Sequence, residues 1–173
     1  MSSAIDTPHT ANHTVTSAPL PKEVLTFRVG AEEYGIDILR VQEIRSYEPP
    51  TRIANAPPHI KGVVNLRGVI VPIVDLRLKL GCHRADCTDL TVVVVLNLRG
   101  RVLGAVVDSV SDVLALKPDD IKPAPDMNAT GVTSHVLGMG CLRHGEEERM
   151  LILTDIEQLM GGDELAAADL TLH

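Results

Sequence analysis

The 173-residue chain has no tryptophan, a single phenylalanine (Phe27) and two tyrosines (Tyr34 and Tyr47). A core without aromatic rings must be filled by Val, Leu and Ile, and branched aliphatic residues favour strands. The shortage also removes the ring platforms on which single-stranded nucleic acid stacks. A formal net charge of −7 is the wrong sign for neutralising phosphates, so nucleic acid is not an expected partner.

Long apolar runs are absent too. No stretch reaches the roughly 20 apolar residues of a spanning helix, and the N-terminus lacks a basic segment followed by an apolar one. The expectation is a cytoplasmic protein with no direct membrane insertion. The three cysteines, Cys82, Cys87 and Cys141, form an odd set in a chain without an export signal, which fits reduced thiols better than a disulfide framework.

Catalytic motifs are equally scarce. There is no Gly-x-Ser-x-Gly elbow and no Gly-rich loop ending in Lys-Ser or Lys-Thr. The segment Cys82-His83-Arg84-Ala85-Asp86-Cys87 gathers two thiols and an imidazole, but the spacing is loose and no matched second pair follows, so the bland reading is a polar loop. His135 beside an apolar strand reads as a surface or satisfied residue rather than a base. The expectation is no enzyme, no metal and no cofactor. A metal-dependent enzyme built on the Cys82 loop and a barrel enclosing a small ligand are the rivals.

What the chain does contain is a series of short strands punctuated by turns. Residues 1–22 have no hydrophobic period and read as a disordered tail. Val24 to Val29, a polar turn over residues 30–33, and Tyr34 to Ile36 predict a hairpin. Asp37 can cap a short helix carrying Ile38, Leu39, Val41 and Ile44, with a strand as the alternative. The prolines between Pro49 and Pro58 force a loop or an edge crossing. Ile60 to Leu76 predicts a second hairpin turning at Asn65-Leu66-Arg67-Gly68, where the glycine can take positive φ. The same four letters recur at Asn97-Leu98-Arg99-Gly100, again before an apolar strand and a Val-Asp pair. That echo is readable either as two similar subdomains or as a shared hairpin preference.

Further on, Lys117 to Pro125 reads as an irregular crossing, and Val132 to Leu142 with Met150 to Leu153 as a last strand pair around a solvated loop, residues 143–149, that contains Glu146, Glu147 and Glu148. Thr154-Asp155-Ile156-Glu157 has the spacing of a capping box. It predicts a short C-terminal helix before a tail at residues 161–173.

The unusual feature is charge on this aliphatic frame, with Glu43 beside the Asp37 element and Arg67 at a hairpin tip. A solvated turn arginine is the plain explanation. Alternatively, an arginine on a rigid hairpin offers its planar fork to a partner at low entropic cost, with Ile38 and Val41 as the desolvated centre of such an interface.

The run Asn65-Leu66-Arg67-Gly68-Val69-Ile70-Val71-Pro72-Ile73-Val74-Asp75-Leu76-Arg77 resembles the signature hairpin of the CheW family and of the related regulatory domain of the kinase CheA. The likeness extends through Glu33 to Ile38, Val41 to Ile44, Ile60-Lys61-Gly62, Val107 to Val113 and Met150 to Leu153, and so covers residues 23–160. It implies two small five-stranded SH3-like β-barrels sharing a hydrophobic core, with short helices. It also implies a non-catalytic adaptor that couples methyl-accepting chemoreceptors to the histidine kinase CheA, with other CheW copies as further partners, in arrays at the membrane or in a related surface-motility pathway. Receptor tips are helical hairpins, so their recognition would resemble a helix lying in an apolar groove. The positions matching the family's receptor-binding residues are Ile38, Val41, Glu43, Gly62, Arg67 and Val113. Lys122 and Met127 match a stretch that contacts the kinase.

Overall fold

The computed structural model describes residues 20–82, 86–123 and 135–160. The chain runs β1 (Glu23–Val29), β2 (Glu32–Asp37), a 3-10 turn (Ile38–Arg40), β3 (Val41–Ser46), β4 (Ile60–Leu66), β5 (Val69–Asp75) and α1 (Leu76–Lys79). It continues through β6 (Val92–Leu98), β7 (Arg101–Val107), β8 (Ser109–Ala115), a second 3-10 turn (Pro118–Asp120), β9 (Ile121–Lys122), β10 (Val136–His144), β11 (Glu147–Thr154) and α2 (Ile156–Leu159).

These strands form two sheets. One has the order β8-β1-β2-β11-β10-β9 and the other β3-β6-β7-β5-β4. The first carries a sixth strand beyond the five expected, the two-residue edge β9. Apart from β9 the two orders match pair for pair. Each has three antiparallel pairings and one parallel pairing at the same place, β2 with β11 and β5 with β7. In each, the strand in that parallel pair leads into a short helix whose cap is an aspartate, Asp75 for α1 and Asp155 for α2. The second sheet is one continuous stretch of chain inserted between β2 and β8.

The alternation of side chains explains why the two sheets stay together. On β6, Val93 and Val95 point into a core within the second barrel, with Leu66, Val71, Ile73 and Val106. Val94, Leu96 and Leu98 point the other way into a shared core with Leu25, Phe27, Val29, Tyr34 and Ile36 of the first sheet. On β1, Val24 instead joins Leu116, Leu151 and Leu153 inside the first barrel. Ile156 and Met160 plug the shared core from the C-terminal side. Phe27 and Tyr34 stack with centroids 5.7 Å apart; the rest is aliphatic, as the lack of rings demands. Gly104 marks how tight this packing is: a Cβ there would lie 2.7 Å from Ile73 Cδ1 and 2.8 Å from Val93 Cγ1. The hollow at the mouth of the second barrel is about 50 Å³, far below the size of a small-molecule site.

Several sequence readings change. The helix expected after Asp37 is a single 3-10 turn, and Val41 onward is strand because it pairs antiparallel with β6. Asp37 does cap that turn, its Oδ1 accepting the Leu39 N–H at 3.0 Å. Both Asn-Leu-Arg-Gly turns form as hairpins, with positive φ at Arg67 (53°), Gly68 (90°), Arg99 (56°) and Gly100 (83°), and Asn65 and Asn97 each accept the amide of the turn glycine. Both lie in the second sheet, so the echo is a shared turn preference. The internal repeat is the one in pairing order. The solvated loop at residues 143–149 shrinks to a two-residue turn, Gly145-Glu146, between strands. The C-terminal helix forms, but Asp155 caps it by accepting the Glu157 and Gln158 amides, whereas the Thr154 hydroxyl donates to the Ile152 carbonyl. The expected tails fall outside the described residues except for residues 20–22.

Two arginines hold the frame electrostatically. Arg77 is 1% exposed, forks onto Asp75 through Nε (2.9 Å) and Nη2 (2.9 Å), and reaches Asp108 Oδ1 at 3.0 Å and the Asp86 carbonyl at 2.7 Å. Asp108 in turn accepts the Gly30 amide at 2.7 Å, so the chain of contacts runs from the end of β5 to the β1–β2 turn of the other sheet. Hydrogen bonding to Asp75 pushes the Arg77 pKa up, against the cost of burial. On the first sheet Arg149 bridges Glu33 (2.6 Å) and Asp112 (2.8 Å).

Because Arg77→Ala leaves the fully buried Asp75 short of its forked partner, the change is expected to cost about 3–5 kcal/mol. Chemical denaturation monitored by far-UV circular dichroism measures it, and a loss below about 1 kcal/mol would contradict the brace.

Candidate functional site

An ion pair at the surface lies where the second sheet's edge strand meets the β4–β5 turn. β3 and β4 are the two edges of that sheet. The 3-10 turn carries the chain from the first sheet to the second. Ile38 and Val41 turn inward, partly buried against the shared core, which leaves Leu39 84% exposed. The β3 register then shifts between Val41 and Glu43, and Glu43 emerges opposite the β4–β5 turn.

Arg67 sits in that turn in the left-handed conformation, its backbone fixed by the Asn65 side chain and the hairpin ladder. Its Nη2 donates to Glu43 Oε2, and Arg45 Nη1 lies 3.6 Å from Glu43 Oε1. The hydrogen bond from Arg67 holds the Glu43 carboxyl below the usual carboxylate range, helped by the charges of Arg67 and Arg45 and opposed by desolvation. The pair therefore fastens the open seam of the barrel. Around it lie exposed apolar side chains: Ile44 on β3, and Val69 and Ile70 at the start of β5. A cleft of about 240 Å³ beside Arg67 is lined by Gln42, Leu66, Val69, Val71 and Val102.

The remaining expected residues are distributed more widely. Gly62 is buried on β4 with φ +146°, and a Cβ there would fall 2.1 Å from the Thr51 carbonyl oxygen. It lets the proline-rich segment bridge to β4 through Thr51 and Val63. Val113 is half exposed on β8, an edge of the first sheet, paired with Leu25. Lys122 is exposed on β9, opposite Met139, and Met127 lies outside the described residues. Thus Glu43 and Arg67 are joined directly, Ile38 and Val41 pack against the shared core just before Glu43 in the chain, and Val113 and Lys122 belong to the other sheet. Leu39, Ile44 and Arg45 were missed. A helical reading of residues 37–44 put Leu39 on the same inward stripe as Ile38, whereas a turn followed by a strand sends it out.

Cys82, Cys87 and Cys141 are free thiols. His83 lies outside the described residues, among which no group of three or more His, Cys, Asp or Glu could hold a metal ion. Cys82 packs against the shared core, and the Cys87 Sγ lies 3.9 Å from Arg77 Nη2. Burial pushes the His135 imidazole pKa down, with Asp155 opposing, and the His135 carbonyl accepts the Asp155 amide at 2.7 Å. No helix among the described residues is long and apolar enough to cross a membrane.

Comparison with known proteins agrees with this geometry. The CheW-like domain family matches residues 23–164. The chain is 55% identical over 148 residues to the chemotaxis protein CheW of Klebsiella aerogenes, covering 86% of this chain and 87% of that one. It is 37% identical over 147 residues to the chemotaxis protein CheW of Rhizobium meliloti, covering 85% and 92%. Among solved structures, the scaffolding protein TtCheW from Thermoanaerobacter tengcongensis superposes with a TM-score of 0.70 at 26% identity, covering 84% of this chain and 96% of that one.

Two expectations follow from the geometry. Gly62→Ala places a methyl group against backbone in a conformation that L residues avoid, and should cost about 1–3 kcal/mol in a denaturant titration; a neutral result would remove the structural role of Gly62. The second concerns pH. Arg149 lowers the Glu33 carboxyl as Arg67 lowers that of Glu43, so both groups contribute stability that is present above their ordinary value of 4.5 and lost as pH falls through their depressed folded values. Denaturation midpoints of the wild type and of Arg149→Met should therefore converge as pH drops below about 4.5. A constant gap down to acid pH would contradict the assignment.

Proposed function

Because the chain belongs to the CheW family, we propose that it is a non-catalytic chemotaxis adaptor that couples the cytoplasmic tips of methyl-accepting chemoreceptors to the regulatory domain of the histidine kinase CheA. The observation that carries this reading is the Glu43–Arg67 seam with its exposed apolar flank of Ile44, Val69 and Ile70. A helical receptor tip presents apolar positions at intervals of three or four residues, and such a face is matched by aliphatic side chains set between fixed charges. The ion pair and the hairpin hold those side chains before any partner arrives, which reduces the ordering cost of binding.

In this arrangement the protein performs no bond chemistry. It supplies two surfaces on one rigid frame, a receptor face including Ile38, Val41, Glu43, Gly62, Arg67 and Val113, and a kinase face including Lys122 and Met127. The energy at stake is a coupling between two binding events, typically about 1–3 kcal/mol. The place of work is the cytoplasm, at membrane-bound receptor arrays, where further copies of the chain are additional partners.

Arg67→Glu sets a carboxylate opposite Glu43 and is expected to keep the fold while weakening assembly with receptor-containing membranes and kinase roughly ten-fold or more. Co-sedimentation measures this. The exchanged pair Glu43→Arg/Arg67→Glu separates seam from partner: it should recover the melting temperature but not the assembly. Unchanged assembly in Arg67→Glu would sink the role of Arg67. A pull-down from cytoplasm plus membranes that recovers neither receptor nor kinase would sink the adaptor reading.

A further inference from the structure

A second set of charges lies away from the seam, at the junction of the two barrels. Glu157, in the first turn of α2, is 16% exposed and holds two arginines: Arg40 Nη1 lies 3.0 Å from its Oε2, and Arg99 Nε lies 3.3 Å from its Oε1. The three come from separate parts of the fold. Glu157 follows β11 of the first sheet, Arg99 forms the β6–β7 turn of the second, and Arg40 closes the 3-10 turn by which the chain crosses from one to the other. The backbone of α2 is itself fixed, since Ile156 and Met160 are buried in the shared core and Asp155 caps the helix. Glu157 is therefore a carboxylate on an immobile base, gripping the last residue before β3.

That placement matters because of what Arg40 adjoins. On one side is Leu39, the most exposed large apolar side chain among the described residues at 84%; on the other are Val41 and Glu43. The turn itself is slight, three residues long, closed by the Asp37 cap and by the Val41 amide donating to the Ile38 carbonyl. Left to those bonds alone, a single 3-10 turn holds its side chains loosely. A cleft of about 460 Å³ bordered by Ile38, Leu39, Arg40, Leu137 and Ile156 leaves room for the turn to shift.

We propose that Glu157 is a positioning residue: by holding Arg40 it fixes the crossover turn, and with it Leu39 and the start of β3, in the conformation that receives the receptor tip. This rests on the adaptor reading. It makes the C-terminal helix, which belongs to the first barrel, part of the receptor face on the second, so that the relative placement of the two barrels is felt at the binding edge.

The test uses the full chain and two independent readouts. Hydrogen exchange at the Val41 amide reports the turn directly, and Glu157→Gln should speed it roughly 2- to 5-fold, the range that an exposed ion pair spans. Binding of a soluble receptor tip fragment should weaken roughly 3-fold or more, while binding of the isolated kinase regulatory domain stays within error; a general loss of stability would lower both. Arg99→Ala, which leaves the Arg40 contact in place, should have the smaller effect on both readouts. On that background the exchanged pair Arg40→Glu/Glu157→Arg should restore slow exchange and receptor binding. Unchanged Val41 exchange in Glu157→Gln overturns the clamp, and faster exchange with unchanged receptor affinity overturns its role in binding. A wild-type chain that ignores the receptor tip sinks the adaptor reading, and faster exchange in Glu157→Gln would then mark the clamp as purely structural.

Discussion

The strands at the middle of this fold are buried on both faces, and most of the remaining structure answers to that constraint. A strand such as β6 sends Val93 and Val95 into one core and Val94, Leu96 and Leu98 into another, so neither face can carry a polar group without a partner. Two-sided burial requires a nearly continuous run of branched aliphatic residues, and in the second barrel's own core Gly104, against Ile73 and Val93, leaves no space for a methyl group. Charge is displaced to the places where strands end or sheets meet. There it is either forked and enclosed, as Arg77 is on Asp75, or laid across a gap, as Arg67 is on Glu43.

Those displaced charges give the molecule its functional geography. The seam at Glu43 and Arg67 joins the two edges of one barrel. Arg77, Asp108 and the Gly30 amide join one barrel to the other, and Glu157 ties the crossover turn to both. Beside the seam stand the exposed aliphatic side chains of Ile44, Val69 and Ile70. A surface of this kind combines apolar area with fixed orientation, and its fixity derives from ion pairs whose partners come from distant parts of the chain.

How much of this was legible in the sequence depended on whether the governing interaction was local. The hairpins were, because Asn-x-x-Gly carries its own hydrogen bond and its own positive φ, and so was the aliphatic core. Arg77 was not: nothing in Val-Asp-Leu-Arg marks it as buried, and its enclosure depends on Asp108 and the Asp86 carbonyl as well as on the neighbouring Asp75. Arg149 was read as part of a polar tip for the same reason, since Glu33 and Asp112 are remote in sequence. Residues 37–44 satisfied both helical and alternating patterns, and pairing with β6 decided between them. Glu43 and Arg67 were singled out separately, and the resemblance to a family placed them on one surface. Their direct contact required the fold.

The way one sheet is inserted into the other also bears on how the protein comes into being. The second barrel is built from contiguous chain, and its parallel pair joins Ile73 to Gly104. The first barrel closes through Tyr34 and Ile152, near opposite ends of the chain. During synthesis, therefore, the β1–β2 hairpin leaves the ribosome early and then waits, with Tyr34 and Ile36 lacking their final cover, until β11 has been made. Pairings of such long range are slow to form and expose apolar surface in the interval. The inserted barrel can fold in that interval and lend β1 and β2 its half of the shared core, acting as a template for the barrel that encloses it in sequence.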